Sequence, residues 1–212
     1  MTERQARLRD ARLYLVCDVQ SDGFLEAVLG AGVDILQLRM KDAADEDLVA
    51  AGRRFARAAA THGALFILND RPDLVATTGA DGVHVGQDDV PVADARALVG
   101  TDRLVGLSTH TPEQVDDAAG VPVDYIGVGP VHATPTKPGR PAVGLDLVRY
   151  AAEHATVPFF AIGGISPENA VAVRDAGAER IAVVRAITEA HDPGRAARAL
   201  RELVAEASLG RA

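Results

Sequence analysis

Eight short apolar runs recur along this chain, and their spacing restricts the fold more than any other feature. They are LYLVCD (13–18), DILQLRM (34–40), LFILND (65–70), GVHVG (82–86), LVGLST (104–109), YIGVGP (125–130), FFAIGG (159–164) and RIAVVRAI (180–187). Each is nearly continuous in apolar residues instead of alternating, as parallel strands covered by helices are. Helical periodicity fills the intervals. Residues 45–62 put Leu48, Ala51, Phe55, Ala58 and Ala59 on one face, and residues 192–207 do the same with Ala196, Ala199, Leu200, Leu203 and Val204.

A joint between helix and strand is also repeated. An Ala-rich segment ends at a glycine, an acidic residue follows, and a β-branched run comes next: GAGVDILQLR (30–39), TGADGVHVG (78–86), DAGAERIAVVR (175–185) and, more loosely, GVPVDYIGVG (120–129). The glycine suits the left-handed residue that closes a helix, and the Val/Ile-rich run suits a strand. Eight such β–α units in 212 residues predict a single-domain (β/α)8 TIM barrel at the short end of that fold's size range. A doubly wound open sheet competes less well, because CDVQSDG stands after the first strand where a G-x-G-x-x-G would be expected. One domain is expected over 1–212, with residues 1–11 as a loosely ordered N-terminal extension or a short helix.

In a barrel, chemistry sits at the C-terminal ends of the strands, and here those ends are polar. Strand two runs into Gln37, Arg39 and Lys41, which alternate and so share a side, while Met40 projects to the other. Two cations at alternate positions are costly to desolvate unless an anion lies between them, and Arg with Lys suits phosphate oxygens. This reading gains weight from the net charge of −8, which disfavours nucleic acid as a partner and makes any local basic cluster informative. Strand three ends in Asn69 and Asp70, and strand four is followed by Asp88 and Asp89. Asp70 and Asp89 read equally well as helix N-caps or as hard oxygen ligands for Mg2+. Strand five ends in Ser108, Thr109 and His110. Strand seven ends in Gly163 and Gly164 and strand eight in Arg185, which suggests a phosphate held by backbone N–H groups and a guanidinium.

Strand six feeds the segment GVGPVHATPTKPGRPAVG (127–144), a long Pro-rich loop carrying Thr134, Thr136 and Lys137. Long loops of this kind are usually functional or disordered. The six histidines lack metal-ligand spacing; His84 reads as a packed core residue, and no Ser-His-Asp or Cys-His arrangement emerges. The single Cys17 reads as a small buried hydrophobe. A polar N-terminus and the shortness of every apolar run predict a cytoplasmic protein without a membrane partner. Two anion sites and a Mg2+ site at one mouth suggest transfer chemistry in which diphosphate leaves.

Six motifs in order, QLRMK (37–41), ILND (67–70), GVHVGQDD (82–89), GLSTH (106–110), GVGPVHATPTK (127–137) and AIGGI (161–165), make the chain resemble the thiamine-phosphate synthase family over nearly its whole length. The resemblance implies an enzyme that joins a hydroxymethylpyrimidine diphosphate to a thiazole phosphate, with Mg2+, giving thiamine phosphate and diphosphate. It implies that Gln37, Arg39, Lys41, Asn69, Ser108 and Lys137 hold the pyrimidine diphosphate, and that Arg39, Lys41, Ser108 and Lys137 serve the reaction. Thr134, Thr136, Gly164, Val184 and Arg185 are then expected to hold the thiazole phosphate, and Asp70 and Asp89 the Mg2+. Many members carry a serine where this chain has Arg185, which leaves that side chain either on the phosphate or in a salt bridge. The alternatives are a thiazole tautomerase-like isomerase of the same fold and a non-catalytic phosphate-binding barrel. The partners expected are small molecules, and homo-oligomerisation is left open.

Overall fold

Each of the eight apolar runs contains a strand. The computed structural model describes residues 1–134 and 141–205. In chain order the elements are α1 (Glu3–Asp10), β1 (Leu13–Cys17), α2 (Asp22–Gly30), β2 (Ile35–Leu38), α3 (Asp45–Thr61), β3 (Leu65–Asn69), α4 (Val75–Thr78), β4 (Gly82–Val85), α5 (Val92–Val99) and β5 (Leu104–Thr109). They continue with α6 (Pro112–Asp117), β6 (Tyr125–Val128), α7 (Gly144–His154), β7 (Phe159–Ile162), α8 (Ala170–Asp175), β8 (Ile181–Val183), α9 (Arg185–Thr188) and α10 (Pro193–Ala205). Single 3-10 turns at Pro72–Leu74 and Ala118–Gly120 complete the set.

All strand pairs are parallel and sequential, and β1 closes on β8, so the sheet is a closed barrel. Alternation along each strand sorts side chains into two cores. Leu36, Leu38, Phe66 and Leu68 face outward into the layer shared with Phe55, Val148 and Leu200 of the helices. Ile35, Leu65, Ile67, Tyr125 and Phe160 face inward and fill the barrel.

The repeated joint acquires a physical meaning at the N-terminal end of the barrel. Asp34, ahead of β2, accepts hydrogen bonds from the backbone of Arg12 (2.8 Å) and Leu13 (2.9 Å) at the start of β1. Asp81, ahead of β4, accepts from Phe66 N (3.0 Å) in β3, and Asp124, ahead of β6, accepts from Val105 N (2.8 Å) in β5. Each carboxylate thus ties the start of the preceding strand, supplying an acceptor to an N–H that the parallel ladder leaves over. The fourth copy differs: Glu179 pairs with its neighbour Arg180 at 3.4 Å. The glycines of the joint turn as expected, with φ of 79° at Gly79 and 107° at Gly177.

Helix α1 is laid across this same end. A capping box starts it, with Thr2 N donating to Gln5 Oε1 (2.9 Å) and Gln5 N donating to Thr2 Oγ1 (3.2 Å). Leu8, 2% exposed, inserts into the inner core. Arg4 pairs with Asp81 (2.7 Å), Gln5 Nε2 donates to Asp124 Oδ1 (3.0 Å), and Arg7 donates to Ala64 O (2.6 Å). The helix is a plug for the bottom of the barrel.

Seven of the eight strands end before their sequence runs do, and at β2 and β8 this moves expected site residues off the strand. β2 stops at Leu38, so Arg39 and Lys41 lie in the loop beyond it, although Met40 still packs on the outer core. β8 stops at Val183, and Arg185 opens helix α9 instead of ending a strand. Its pairing with β1 reaches only Leu15↔Val183, after which the chain turns and buries Ile187 completely. A run of apolar residues does not distinguish a strand from the first turn of the helix after it.

Candidate active site

A cavity of about 360 Å³ opens at the C-terminal end of the barrel, and every strand contributes to its wall. Its floor is aromatic. The rings of Tyr14, Tyr125 and Phe160 meet edge to face or tilted, with centroids 5.3 Å apart for Tyr14–Phe160 and 5.7 Å for Tyr125–Phe160. One arc of the wall carries Gln37, Arg39, Asn69 and Ser108 from the ends of β2, β3 and β5. The facing arc, from β6 to β8, carries Thr134, Gly164, Val184 and Arg185. Eight sequence-predicted site residues therefore line one cavity.

The others are placed as follows. Lys41 is exposed in the turn after β2 and does not line the cavity. Thr136 and Lys137 lie outside the described residues. Asp70 follows β3 with a left-handed backbone (φ 59°), a conformation uncommon outside glycine and one that concentrates at functional sites. Its backbone N–H donates to His84 O (2.9 Å), and its carboxylate accepts from Asn69 Nδ2. Asp89 turns back to accept from Gly86 N at 2.8 Å. Neither aspartate caps the helix that follows it: the N-cap position before Pro72–Leu74 is Arg71, and that of α5 is Pro91. The capping explanation for these acids is thereby set aside. They are hard oxygen donors at the ends of neighbouring strands, a set that suits a cation also holding phosphate and water. No group of three or more His, Cys, Asp or Glu side chains is placed to hold a metal among the described residues.

Gly163 and Gly164 have φ of 106° and 62° and pack tightly under the loop after β6. A Cβ on Gly164 would lie 2.8 Å from His132 Cβ and 3.0 Å from Ala133 O. Helix α8 begins only at Ala170, so the backbone near Gly164 belongs to a loop and not to a helix N-terminus. The exposed guanidinium of Arg185 pairs with Glu189 Oε1 at 2.7 Å, which raises the arginine's pKa and lowers that of the glutamate. Of the two expectations for Arg185, this structure shows the salt bridge.

The polar residues not foreseen are Tyr14 and Tyr125, along with the hydrogen bonding of His84. Burial pushes the pKa of both phenols up, so both stay protonated. His84 is packed, as its place within a strand suggested, but it also lines the cavity and contacts Ser108 Oγ at 2.9 Å. The available signal was a tyrosine at an inward position of an apolar strand, because a buried phenol demands a partner.

The profile of the thiamine monophosphate synthase family matches residues 13–187. The chain belongs to this family. A thiamine-phosphate synthase of Acidothermus cellulolyticus is 53% identical, with 91% of this chain and 94% of the relative covered. One from Mycobacterium bovis is 49% identical, covering 96% and 99% respectively. Among solved structures, a thiamine phosphate pyrophosphorylase from Pyrococcus furiosus superposes with a TM-score of 0.86 at 29% identity, over 96% of this chain and 98% of the other. The family match takes in every strand and the whole described wall of the cavity.

Proposed function

We propose that this chain is a thiamine-phosphate synthase, a transferase that moves a pyrimidinylmethyl group from diphosphate to the nitrogen of a thiazole phosphate. The observation that carries this reading is the pair of facing polar arcs on one cavity, within a chain of this family. Gln37, Arg39, Asn69 and Ser108, with Lys41 and Lys137, would hold the pyrimidine diphosphate. Thr134, Thr136, Gly164, Val184 and Arg185 would hold the thiazole phosphate on the opposite side. The substrates are small and phosphorylated, which fits a cytoplasmic biosynthetic enzyme.

In this reaction the bond between the methylene carbon and the diphosphate oxygen breaks, and its electron pair leaves with diphosphate. The thiazole nitrogen then donates its lone pair to the same carbon. The positive charge that develops on the methylene is delocalised by the aminopyrimidine itself, so the protein acts on the leaving group. In this reading Arg39, Lys41 and Lys137 would stabilise the growing negative charge with their own positive charge, and Ser108 would add a hydroxyl. The aromatic floor of Tyr14, Tyr125 and Phe160 offers the planar ring an apolar surface away from bulk water. No side chain has to remove a proton for the carbon–nitrogen bond to form.

Asp70 and Asp89 fit Mg2+ by their donor chemistry and by their release from capping duty. When bound, Mg2+ supplies charge neutralisation and orientation for the diphosphate. The test is synthesis of thiamine phosphate from the two phosphorylated substrates, with Mg2+ and again with excess chelator. The expected result is product that disappears with chelator and returns on adding Mg2+. Absence of product in both would overturn the assignment, and chelator-insensitive product would overturn the metal.

A further inference from the structure

The barrel interior holds a polar chain whose hydroxyl and imidazole groups, between its two ends, are given no role in the reaction above. Gln37 Nε2 donates to the Tyr14 hydroxyl at 2.7 Å. Tyr14 Oη lies 2.9 Å from Tyr125 Oη, which lies 3.2 Å from His84 Nδ1, and His84 Nε2 lies 2.9 Å from Ser108 Oγ. Its two ends, Gln37 and Ser108, both line the cavity. Gly106 makes room for it, since a Cβ there would lie 2.2 Å from the Tyr125 ring and 2.6 Å from His84 Nδ1.

Proton counting gives the chain a direction. A phenol carries one proton to donate, and so does a neutral imidazole. With Gln37 donating to Tyr14, the Tyr14 proton goes to Tyr125, the Tyr125 proton goes to His84 Nδ1, and the imidazole proton sits on Nε2, facing Ser108 Oγ. Any other order leaves a buried phenol proton without an acceptor, which is costly. The Ser108 hydroxyl proton is then left for the cavity. Gln37, with Nε2 committed to Tyr14, has its carbonyl oxygen to offer. Turning the Gln37 amide over reverses every bond: Ser108 then donates its proton to His84 Nε2 and has only lone pairs to present to the cavity.

We propose that this chain couples the two ends of the pyrimidine diphosphate site. An anionic oxygen at Ser108 only accepts, so it selects the order in which Gln37 presents a carbonyl oxygen to a donor on the ring. Tyr14, Tyr125 and His84 are positioning residues, and their effect is to favour a ring bearing an amino group over one bearing a carbonyl in its place. The proposal rests on the synthase reading for the identity of the ligand.

Two measurements test it. In the wild-type protein, 15N chemical shifts of His84 recorded with inorganic diphosphate and Mg2+ should report the proton on Nε2; a proton on Nδ1 overturns the proposal. This measurement needs no turnover, so it stands even if no thiamine phosphate is made, an outcome that would overturn the synthase reading alone. Second, Tyr125→Phe keeps the ring and breaks the chain. It should raise KM for the pyrimidine diphosphate by about tenfold, the equivalent of roughly 1.4 kcal/mol, and leave KM for the thiazole phosphate unchanged. An equal rise in both constants, or a rise below about twofold in the first, overturns the coupling. A variant that fails to fold leaves the decision to the His84 tautomer.

Discussion

The two ends of the barrel are both polar, yet they use polar groups in opposite ways. At the N-terminal end Asp34, Asp81 and Asp124 spend their oxygens on backbone N–H groups and on Arg201, Arg4 and Arg96. Helix α1 then covers them and seats Leu8 in the core. At the C-terminal end Gln37, Asn69, Ser108 and Thr134 border a cavity of about 360 Å³, and Asp70 sits in a left-handed conformation. Carboxylates that hold strands together can do so only by being satisfied within the protein. Groups that hold a ligand must keep valences for it. The comparison teaches that place in the barrel, not residue type, decides whether an acid ties strands, as Asp34, Asp81 and Asp124 do, or stands at the cavity end, as Asp70 and Asp89 do.

Several substitutions can break that division. Arg39→Ala is expected to lower kcat on the order of 10²–10³-fold, the usual cost of removing one preorganised charge-stabilising group. Its unfolding midpoint should stay close to wild type; a matching loss of stability would make Arg39 a structural residue. Lys137→Ala should likewise lower turnover much more than stability, and equal losses would assign that lysine to the fold. The opposite signature belongs to Asp124→Asn. Asp124 is 9% exposed at its side chain and holds Arg96 at 2.5 Å as well as Val105 N. Removing its charge should cost about 2–3 kcal/mol in urea unfolding, because a partly buried guanidinium loses its counter-charge. The folded variant should keep its wild-type kcat, and a fall of tenfold or more would erase the distinction between the ends. Leu8→Ala is expected to cost about 2–3 kcal/mol through a cavity in the inner core, again without a change in kcat.

The smallest effect concerns Cys17 at the end of β1. Burial first, and the Asp18 charge second, push its thiol up to about 12. The folded state therefore keeps this proton at alkaline pH where the unfolded chain loses it. Stability should fall as pH rises above the ordinary thiol pKa. Cys17→Ala should flatten that slope, and thiol reagents should leave the native protein unlabelled while labelling it fully in urea. Rapid labelling of the folded protein would contradict the burial.

Much of this was legible in the sequence because its cause is local. Continuous apolar runs such as LFILND and helical faces such as that of Leu48 and Phe55 report burial directly, and the recurrent joint marked each acid that later proved to tie a strand. What was not legible depends on neighbours distant in sequence. Nothing local shows that Tyr14 and Tyr125, 111 residues apart, share a hydrogen bond, or that Asp70 and Asp89 are not helix caps. The end of β8 was missed for the same reason, since the limit at Val183 is set by closure against β1. The roles of the cavity residues came from the family resemblance, whereas their convergence on one wall comes from the fold.

The most direct test of the account is a single-turnover experiment in which diphosphate and thiamine phosphate are both quantified after mixing the enzyme with pyrimidine diphosphate, thiazole phosphate and Mg2+. The account predicts that the two products appear together in equal amounts, and that omitting the thiazole phosphate or the Mg2+ suppresses both. Diphosphate released at an undiminished rate without the thiazole phosphate, or no thiamine phosphate from the complete mixture, would contradict it.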